Sequence, residues 1–550
     1  MDTKLLDDLK KNFEGDIETS EEILKEYSRD ASLFEIKPQA VIFPKKSQDI
    51  KNAVKWVNRN RENYPKLSLT PRSAGTDMTG GPLSPSVVMD FTRYLNKVVL
   101  VKDDYAIVEP GCFYRDFDRE TRAVGKIMPA YTASREICAV GGMVANNAGG
   151  EKSIKYGKVE NYIKELKVVF SDGEEYAVKP LTISELEEKI RQDSFEANLY
   201  KKIYEIVKEN YDEIVTAKPD VSKNSSGYYL WNIYDKENQT FDLCKLIVGS
   251  QGTLGIVTEI TFSLVPVPTH SNLLVVFLPS LERVSNLVTR ILPYKPESLE
   301  TYDDKSMILA VRFFFDFFKQ LGFWGALRLG FSFIPETFMI LTGGVPKLIL
   351  MIEFTGRSDE EVKDKLTDLK DHLIDFHFKT HIAKSSNEAQ KYWDIRHESF
   401  NLLRKHVHGK RTAPFIDDII VKPEYLPKFL PKIKHLLDEY KLDYTVQGHL
   451  GNGNFHLIPL VDLNSPYSGE MILELSKKVY SLVKEFNGSN SAEHNDGIIR
   501  TPFLLEQFGP KIVELFQETK RTFDPKNIFN PNKKVGGTFE DIKKWLISVN

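Results

Sequence analysis

The pattern of apolar and polar positions divides the chain into two parts. In the first part, short apolar runs alternate with polar, glycine-rich segments, which is typical of strands followed by loops. The runs predict strands at residues 40–44, 87–90, 105–111 and 163–170. Helical spacing of apolar residues predicts an amphipathic helix at residues 47–58. Residues 1–35 are more polar and predict short helices that precede this part as an arm.

The second part, beyond residue 268, alternates strand-like and helix-like segments more regularly. The pattern predicts strands at residues 273–277, 347–354 and 418–421, and helices at residues 281–292, 359–376 and 425–440. This alternation favours an antiparallel sheet with helices on one face. A chain of 550 residues is too long for a single core, so we expect an α+β protein with two or more domains.

Candidate chemistry is concentrated near residue 450. Segment 448–456 (GHLGNGNFH) places His449 and His456 on either side of a glycine-rich turn between two apolar runs, so both imidazoles can lie at one end of a sheet. Glu493 and His494 follow a helix-like stretch further on. Two imidazoles and a carboxylate suit a divalent transition metal with open positions, which leaves His494 for acid–base chemistry. Ordinary turn and strand-end histidines are the simpler interpretation of the spacing alone, because it is not a standard metal motif.

Three glycine-rich segments in the first part indicate where a flat or phosphorylated ligand could bind. They are residues 67–81 (LSLTPRSAGTDMTGG), 139–150 (AVGGMVANNAGG) and 246–260 (LIVGSQGTLGIVTEI). The first can expose successive backbone N–H groups, the arrangement that holds a pyrophosphate. The second permits close approach of the backbone to a flat ligand. A surface loop and a plain turn, respectively, are the alternative interpretations of these two segments.

Composition and charge exclude several classes of protein. The net charge of −4 and the isoelectric point near 6.3 leave no excess of positive charge for general nucleic-acid binding. The three cysteines are few, odd in number and far apart, which argues against a disulfide framework or a cysteine-ligated cluster. A reducing compartment such as the cytoplasm fits this composition. The amino terminus has the pattern of neither a secretory signal nor a transit peptide.

An aromatic-rich insertion at residues 307–344 interrupts the second part. On a helix, Arg312, Asp316 and Lys319 would fall on one stripe, and the remaining surface would be mostly apolar. These charges and Pro335 leave no span of about 20 apolar residues, so we do not predict a transmembrane helix. Two alternatives stay open: a packed core or dimer element, and a patch that lies peripherally on the inner face of the membrane.

In their order and spacing, the three glycine-rich segments resemble the FAD-binding domain of the vanillyl-alcohol-oxidase (PCMH-type) flavoproteins. Segments 448–456, 491–494 (SAEH) and 523–531 (FDPKNIFNP) are similar to the carboxy-terminal domain of the FAD-linked 2-hydroxy-acid dehydrogenases. This group includes D-lactate dehydrogenase, the glycolate oxidase FAD subunit and D-2-hydroxyglutarate dehydrogenase. The resemblance implies four parts: a helical arm (1–35), a PCMH-type FAD-binding domain (36–267), a substrate- and metal-binding cap domain (268–520) and a tail that returns to the FAD domain (521–550).

The resemblance also implies roles for particular residues. Those expected to hold FAD are Arg72, Ser73, Ala74, Gly75, Thr76, Thr79, Gly80, Gly81, Gly141, Gly142, Ala145, Asn146, Gly149, Gly252, Ile256, Val257 and Asn530. The expected metal ligands are His449, His456 and Glu493, and His494 is the expected catalytic base. Arg396, in segment 392–398 (YWDIRHE), matches the position that binds the substrate carboxylate, a role suited to a bidentate guanidinium. A helix-surface ion pair with a neighbouring carboxylate is the alternative for Arg396.

The activity implied by the resemblance is FAD-dependent oxidation of a small D-2-hydroxy acid, with D-lactate favoured, to the 2-oxo acid. FAD and a divalent metal, zinc or manganese, would be the cofactors. The electrons would pass to a separate acceptor, because the sequence shows no second redox motif; a quinone, a cytochrome and an electron-transfer flavoprotein are all open. The alternatives are a non-redox transferase similar to alkylglycerone-phosphate synthase, and a non-catalytic FAD subunit of a larger oxidase complex.

Departures from the pattern of the group leave the substrate open. Asn452 stands where Asp is usual, Gln251 where Glu is usual, and residues 495–497 (NDG) where Gly-Ile-Gly is common. None of these removes an expected metal ligand. The basic residue expected just before Asp418 is also missing, and the nearest candidates are Lys410 and Arg411.

Overall fold

Two main sheets carry the amino-terminal region, residues 1–267. The computed structural model describes residues 1–305, 307, 345–406 and 410–547. The strands of this region are β1 (Asp16–Glu18), β2 (Ala40–Phe43), β3 (Leu69–Arg72), β4 (Val87–Asp90), β5 (Val98–Val101), β6 (Tyr105–Val108), β7 (Lys126–Ile127), β8 (Ile163–Val169), β9 (Glu175–Val178), β10 (Leu181–Thr182), β11 (Tyr234–Asp235), β12 (Thr240–Phe241), β13 (Ile256–Ser263) and β14 (Val265–Pro266). The helices are α1 (Thr3–Lys10), α2 (Glu21–Glu26), α3 (Ser47–Asn60), α4 (Tyr114–Arg122), α5 (Val140–Asn146), α6 (Ser153–Tyr156), α7 (Ile183–Ile190), α8 (Phe195–Glu209), α9 (Tyr211–Ala217) and α10 (Cys244–Ile247).

The two sheets follow different burial patterns. The first has the strand order β1-β2-β4-β3, with β4 parallel to both β2 and β3. The apolar runs of β2 and β4 are buried along their whole length, as parallel strands covered on both faces require. The second has the order β5-β6-β13-β8-β9, and its antiparallel strand β13 alternates buried and half-buried positions. The strands predicted in this region are confirmed, with ends that differ by a few residues.

The second glycine-rich segment forms a short helix rather than a turn. The helix α5 ends at Asn146, and the next residue, Asn147, stops it by adopting a left-handed φ of 50°. Val140, Met143 and Val144 are buried in the core. The glycines at positions 141 and 142 are only half-buried, so this part of the helix presents bare backbone.

One antiparallel sheet carries the carboxy-terminal region, residues 268–547. Its strands are β15 (His270–Leu278), β16 (Ser298–Asp303), β17 (Leu348–Gly356), β18 (Lys379–Ile382), β19 (Arg411–Thr412), β20 (Ile419–Ile420), β21 (Asp443–His449) and β22 (Asn454–Val461). The helices are α11 (Val284–Ile291), α12 (Asp359–His372), α13 (Ser386–His406), α14 (Leu426–Glu439), α15 (Ser468–Glu485), α16 (Gly497–Arg500), α17 (Leu504–Phe523) and α18 (Phe539–Trp545). Within the described residues the strand order is β18-β15-β17-β16-β21-β22-β19, and β20 also pairs with β22.

The two faces of this sheet are covered unequally. Alternate residues of β15 face opposite sides: Leu274 and Val276 enter the core shared with α11, α12, α14 and α15, whereas Leu273 and Val275 pack with Tyr392 of α13. The predicted α+β fold, with helices covering one face of an antiparallel sheet, is confirmed, and α13 adds a helix on the other face.

The two ends of the chain meet on the amino-terminal region. The strand β1 lies within the predicted helical arm, and it extends the first sheet by pairing antiparallel with β2. In the tail, the Asn530 N–H donates to the Leu69 carbonyl at 2.9 Å, and the Ile547 N–H donates to the Leu33 carbonyl at 2.9 Å. The tail therefore packs against the first sheet and against the arm.

The described helices include none that is long and apolar enough to cross a bilayer. Met307 is buried. The rest of the aromatic-rich insertion at 307–344 lies outside the described residues, so its dimer and membrane-surface alternatives stay predictions. All three cysteines are free and buried.

Candidate active site

The β21–β22 hairpin brings two predicted metal ligands together. Leu450–Asn452 form a 3₁₀ turn between the strands, and the register pairs Gln447 with His456. His449 and His456 therefore project from the same face, because residues two apart on a strand share a side with their cross-strand partners. The centroids of the two rings are 5.2 Å apart.

The Glu493 carboxylate lies against both imidazoles. Its Oε1 is 3.0 Å from His449 Nε2 and 3.5 Å from His456 Nε2, and its Oε2 accepts from Lys223 Nζ at 2.8 Å. Burial opposes ionisation, but the charges of Lys223 and His449 outweigh it and hold the pKa of Glu493 well below its usual range. The three predicted ligand side chains thus converge on one place.

A second carboxylate orients each imidazole from behind. His449 Nδ1 is 2.7 Å from Glu300 Oε1, and His456 Nδ1 is 3.1 Å from Asp417 Oδ1. Metal-ligating histidines are typically oriented by such carboxylates. Burial disfavours the charged form of His456, but Asp417, helped by Glu493, raises the pKa of His456 to about 10. Because a divalent ion and this proton compete for Nε2, metal binding would release a proton. The donor chemistry fits a metal held by His449, His456 and Glu493.

A different donor set is less suitable. Ligand atoms of Asp418, His456, Glu493 and His494 also lie within 4.8 Å of one another. However, Asp418 Oδ2 already accepts the N–H groups of Glu493 at 2.9 Å and His494 at 2.7 Å, and the Ser491 hydroxyl at 2.8 Å. These bonds hold the turn that carries Glu493 and His494, so the role of Asp418 is to shape the backbone.

His494 lies beside this cluster. Its ring stacks on the ring of His456, with centroids 5.0 Å apart. Its Nδ1 is 2.7 Å from Asp417 Oδ2, close enough for an ion pair, but the angles at the two atoms are not those of a hydrogen bond. Burial lowers the pKa of His494, but Asp418 and Asp417 outweigh burial and raise it above its ordinary value. Asp417 therefore contacts both imidazoles, through different oxygens, and leaves Nε2 of His494 for a proton exchange.

Arg396 is buried and belongs to the same network. Its Nη2 and Nε donate to Glu300 Oε2 at 2.8 and 3.1 Å, and its Nη1 donates to Gln447 Oε1 at 3.1 Å. The alternative of a helix-surface ion pair is wrong, because both side chains are buried and Glu300 comes from a strand of the sheet. Glu300 is shared between Arg396 and His449.

Sequence reasoning missed Glu300, Asp417 and Lys223. Glu300 carried no clear signal, because its strand, SLETYD, mixes polar and apolar residues although every position in it is buried. Asp417 stands just before Asp418, where a basic residue is usual in the group, and nothing else in the sequence assigns it a role. Nothing in the sequence near Lys223 pointed to Glu493.

One cavity of about 1120 Å³ joins this network to the glycine-rich segments. It is larger than a typical small-molecule site of roughly 300–1,000 Å³. The expected FAD residues that line it are Arg72, Ser73, Ala74, Gly75, Thr76, Gly81, Gly141, Gly142, Ala145, Asn146, Gly149, Gly252 and Val257. The other predicted site residues that line it are Arg396, His449, His456, Glu493 and His494.

The remaining expected FAD residues do not line the cavity: Thr79, Gly80, Ile256 and Asn530. Asn530 Nδ2 donates to the Gly81 carbonyl at 2.9 Å and to the Gln251 carbonyl at 2.8 Å. It therefore ties the first glycine-rich segment to the third. Gln251, one of the departures noted in the sequence, also accepts from the Gly497 N–H at 2.9 Å.

Bare backbone shapes the amino-terminal side of the cavity. A Cβ added to Gly141 would lie 2.6 Å from the Pro110 carbonyl oxygen, and one added to Gly149 would lie 2.8 Å from Glu493 Oε2. Side chains at these two positions would fill the space or collide with its walls. The resulting cradle fits a large flat cofactor such as FAD, whose ring needs close backbone approach.

Comparison with known proteins finds two matching domain families in the same order. Residues 38–179 match the family described as FAD binding domain, and residues 267–534 match FAD linked oxidases, C-terminal domain. The chain is 27% identical over 529 residues to D-2-hydroxyglutarate dehydrogenase of Pseudomonas putida, covering 95% of this chain and 50% of that protein. It is 25% identical over 525 residues to D-lactate dehydrogenase of Anaerostipes hadrus, covering 93% of each.

The chain spans about half the length of the first of these relatives. A solved structure of alkyldihydroxyacetonephosphate synthase has a TM-score of 0.66 and 15% identity to it, covering 97% of this chain and 85% of the other, and so shares the fold. The two family matches confirm the FAD-binding domain and the resemblance found in the sequence. The protein belongs to the family of FAD-linked oxidases that join a PCMH-type FAD-binding domain to an FAD-linked oxidase carboxy-terminal domain.

Proposed function

We propose that the protein oxidises a small D-2-hydroxy acid to the 2-oxo acid, with FAD as the first electron acceptor and a separate molecule as the next. The observation that carries this proposal is the single cavity that the glycine-rich segments and the histidine–carboxylate–arginine network line together. Relatives named as dehydrogenases of D-2-hydroxyglutarate and of D-lactate support the same class of substrate.

Both proposed cofactors would bind in this cavity. FAD along the glycine-rich segments would supply the two-electron acceptor. A divalent ion, zinc or manganese, bound by His449, His456 and Glu493, would supply a Lewis acid for the substrate oxygens.

The side chains of the protein would orient the substrate and take its hydroxyl proton. Arg396 would bind the carboxylate through its planar guanidinium. His494 would accept the hydroxyl proton at Nε2, because Asp417 lies against its Nδ1. As that proton leaves the oxygen, the C2 hydrogen departs as hydride and the C2–O bond becomes a carbonyl.

The cavity offers a second cation to the substrate. Lys410 and Arg411 both line it. Lys410 pairs with Asp443 at 2.8 Å, whereas Arg411 makes no side-chain hydrogen bond or ion pair to the part of the chain that the structure describes. The second carboxylate of D-2-hydroxyglutarate would use Arg411, and D-lactate would not. This observation favours the dicarboxylic acid as a candidate beside the D-lactate expected from the sequence.

Anaerobic flavin reduction tests the proposal. FAD-loaded protein is mixed with D-lactate, glycolate, D-2-hydroxyglutarate and the L-enantiomers, and loss of the yellow colour is followed. We expect at least one D-acid to bleach the flavin. Arg411→Ala should weaken reduction by D-2-hydroxyglutarate and leave reduction by D-lactate unchanged. A flavin that none of the acids reduces would reject the proposal and favour the transferase or the non-catalytic subunit.

A further inference from the structure

Glu300 occupies the centre of the ionisable network. It lies on β16, which is hydrogen-bonded to β17 on one side and to β21 on the other, and its side chain is fully buried. Oε1 accepts from His449 Nδ1 at 2.7 Å, and Oε2 accepts from Arg396 Nη2 and Nε at 2.8 and 3.1 Å. Each oxygen therefore holds a side chain from a different element, β21 in one case and α13 in the other.

The chemistry of a carboxylate explains why both contacts are specific. An ionised carboxylate accepts hydrogen bonds and donates none, so the Nδ1 of His449 must carry the hydrogen. Nε2, which lies 3.0 Å from Glu493 Oε1, is then the nitrogen that would give up its proton and offer its lone pair to a metal. The positive charge of Arg396 in turn offsets the cost of burying the carboxylate.

The same carboxylate fixes Arg396 relative to the hairpin. Gln447 holds Nη1 of Arg396 at 3.1 Å and lies two residues before His449 on β21. The guanidinium is therefore held on one edge by Glu300 and on another by the strand that carries His449. In the proposed function Arg396 would bind the substrate carboxylate, and His449 would help to hold the metal that acts on the substrate oxygens.

We propose that Glu300 is a positioning residue that sets the metal-ligating nitrogen of His449 and the substrate-binding guanidinium of Arg396 in one rigid unit. The Arg396 half of this inference rests on the proposed function. The His449 half concerns metal binding alone, which can be measured without any hydroxy acid.

Glu300→Gln tests the inference at nearly constant volume. An amide has one acceptor and one donor end, so in either orientation an N–H group must face His449 Nδ1 or Arg396. We expect the affinity of the FAD-loaded protein for Zn²⁺ or Mn²⁺ to fall by about 10- to 100-fold, the usual effect of losing an outer partner. KM for the hydroxy acid should rise as well, while FAD affinity stays the same.

Glu353→Gln is the matched control. Glu353 is also a buried carboxylate, on the neighbouring strand β17, but its partners are Ser298 at 3.2 Å and Lys152 at 3.9 Å. We expect this variant to bind metal and substrate as the wild type does. Glu300→Asp provides a second test if the amide variant fails to fold, because it keeps the charge but is too short to hold both partners.

The outcomes separate this inference from the proposed function. Wild-type metal affinity and KM in folded Glu300→Gln, or in folded Glu300→Asp, would overturn the positioning role. A wild-type protein that binds no metal would overturn it too, because there would be no ligand nitrogen to position. Neither result depends on the screen of flavin reduction, which alone decides the proposed function.

Discussion

The two walls of the cavity are built in different ways. The wall from the amino-terminal region, which we call the glycine wall, consists of the cavity-lining residues of segments 72–78, 141–149 and 250–257 and presents mostly small side chains and backbone. The opposite wall, which we call the ionisable wall, consists of Arg396, His449, His456, Glu493 and His494. One wall can recognise a ligand by its shape, and the other can move protons and hold charge.

The difference between the walls predicts how each responds to change. At the tight positions of the glycine wall, such as Gly141, a larger side chain meets fixed backbone, which costs strain of about 1–3 kcal/mol. A side chain lost from the ionisable wall leaves buried charges without their partners, which costs about 3–5 kcal/mol when a pair is broken. Substitutions in the ionisable wall should therefore have the larger effects on function.

The largest effect is expected for His456→Ala. The variant removes one proposed ligand and deprives both Asp417 and Glu493 of a partner. We expect bound metal and turnover to fall below detection, while the visible spectrum of FAD persists because the glycine wall is intact. Metal analysis, dye reduction and absorbance measure the three quantities.

His381→Ala is the control for this prediction. His381 also pairs with a glutamate, its Nε2 lying 3.0 Å from Glu388 Oε1, but it is not among the residues that line the cavity. This variant should keep full turnover. Wild-type turnover in a preparation freed of metal would contradict the role given to His456.

A smaller loss is expected for His494→Ala. Loss of a general base typically slows the chemical step by about 10²- to 10⁴-fold. FAD and metal should stay bound, since His494 is not one of the three proposed ligands, and substrate affinity should change much less than the rate. Stopped-flow measurement of flavin reduction checks this. Reduction at the wild-type rate would mean that His494 is structural and that the proton leaves by another route.

The glycine wall could be predicted from the sequence because its signals are local. Each segment is a continuous run in which the glycines and the preceding strand stand next to each other. The hairpin histidines are local in the same sense, since one short turn joins their strands. The conformation of the second glycine-rich segment was harder to predict, because the helix α5 forms there against a core that lies elsewhere in the sequence.

Glu300 and Lys223, which contact the ionisable wall from behind, could not be predicted in this way. Glu300 and His449 are 149 positions apart, and Lys223 and Glu493 are 270 apart. No periodicity relates such pairs; they meet only because β16 pairs with β21 and the two regions pack together. In the sequence, Glu300 is simply an acidic residue in a segment for which the pattern predicts no strand.

The smallest effect, and the sharpest test of the glycine wall, comes from two adjacent positions. A Cβ at Gly141 would lie 2.6 Å from the Pro110 carbonyl oxygen, whereas a Cβ at Gly142 would meet only Ser73 Cβ, at 3.9 Å. In FAD-free protein, Gly141→Ala should lower the free energy of unfolding by about 1–3 kcal/mol. Gly142→Ala should change it by no more than about 0.5 kcal/mol.

Addition of FAD then separates the two roles of these glycines. If Gly142 faces the cofactor, Gly142→Ala should lose affinity for FAD although its protein is as stable as the wild type, because the new methyl group projects into the cavity. Gly141→Ala should show its loss of stability with or without FAD. Urea unfolding and flavin titration measure both effects. Equal stability of the two variants without FAD would show that the backbone beside Pro110 yields, and the glycine wall would then be less rigid than its close contacts indicate.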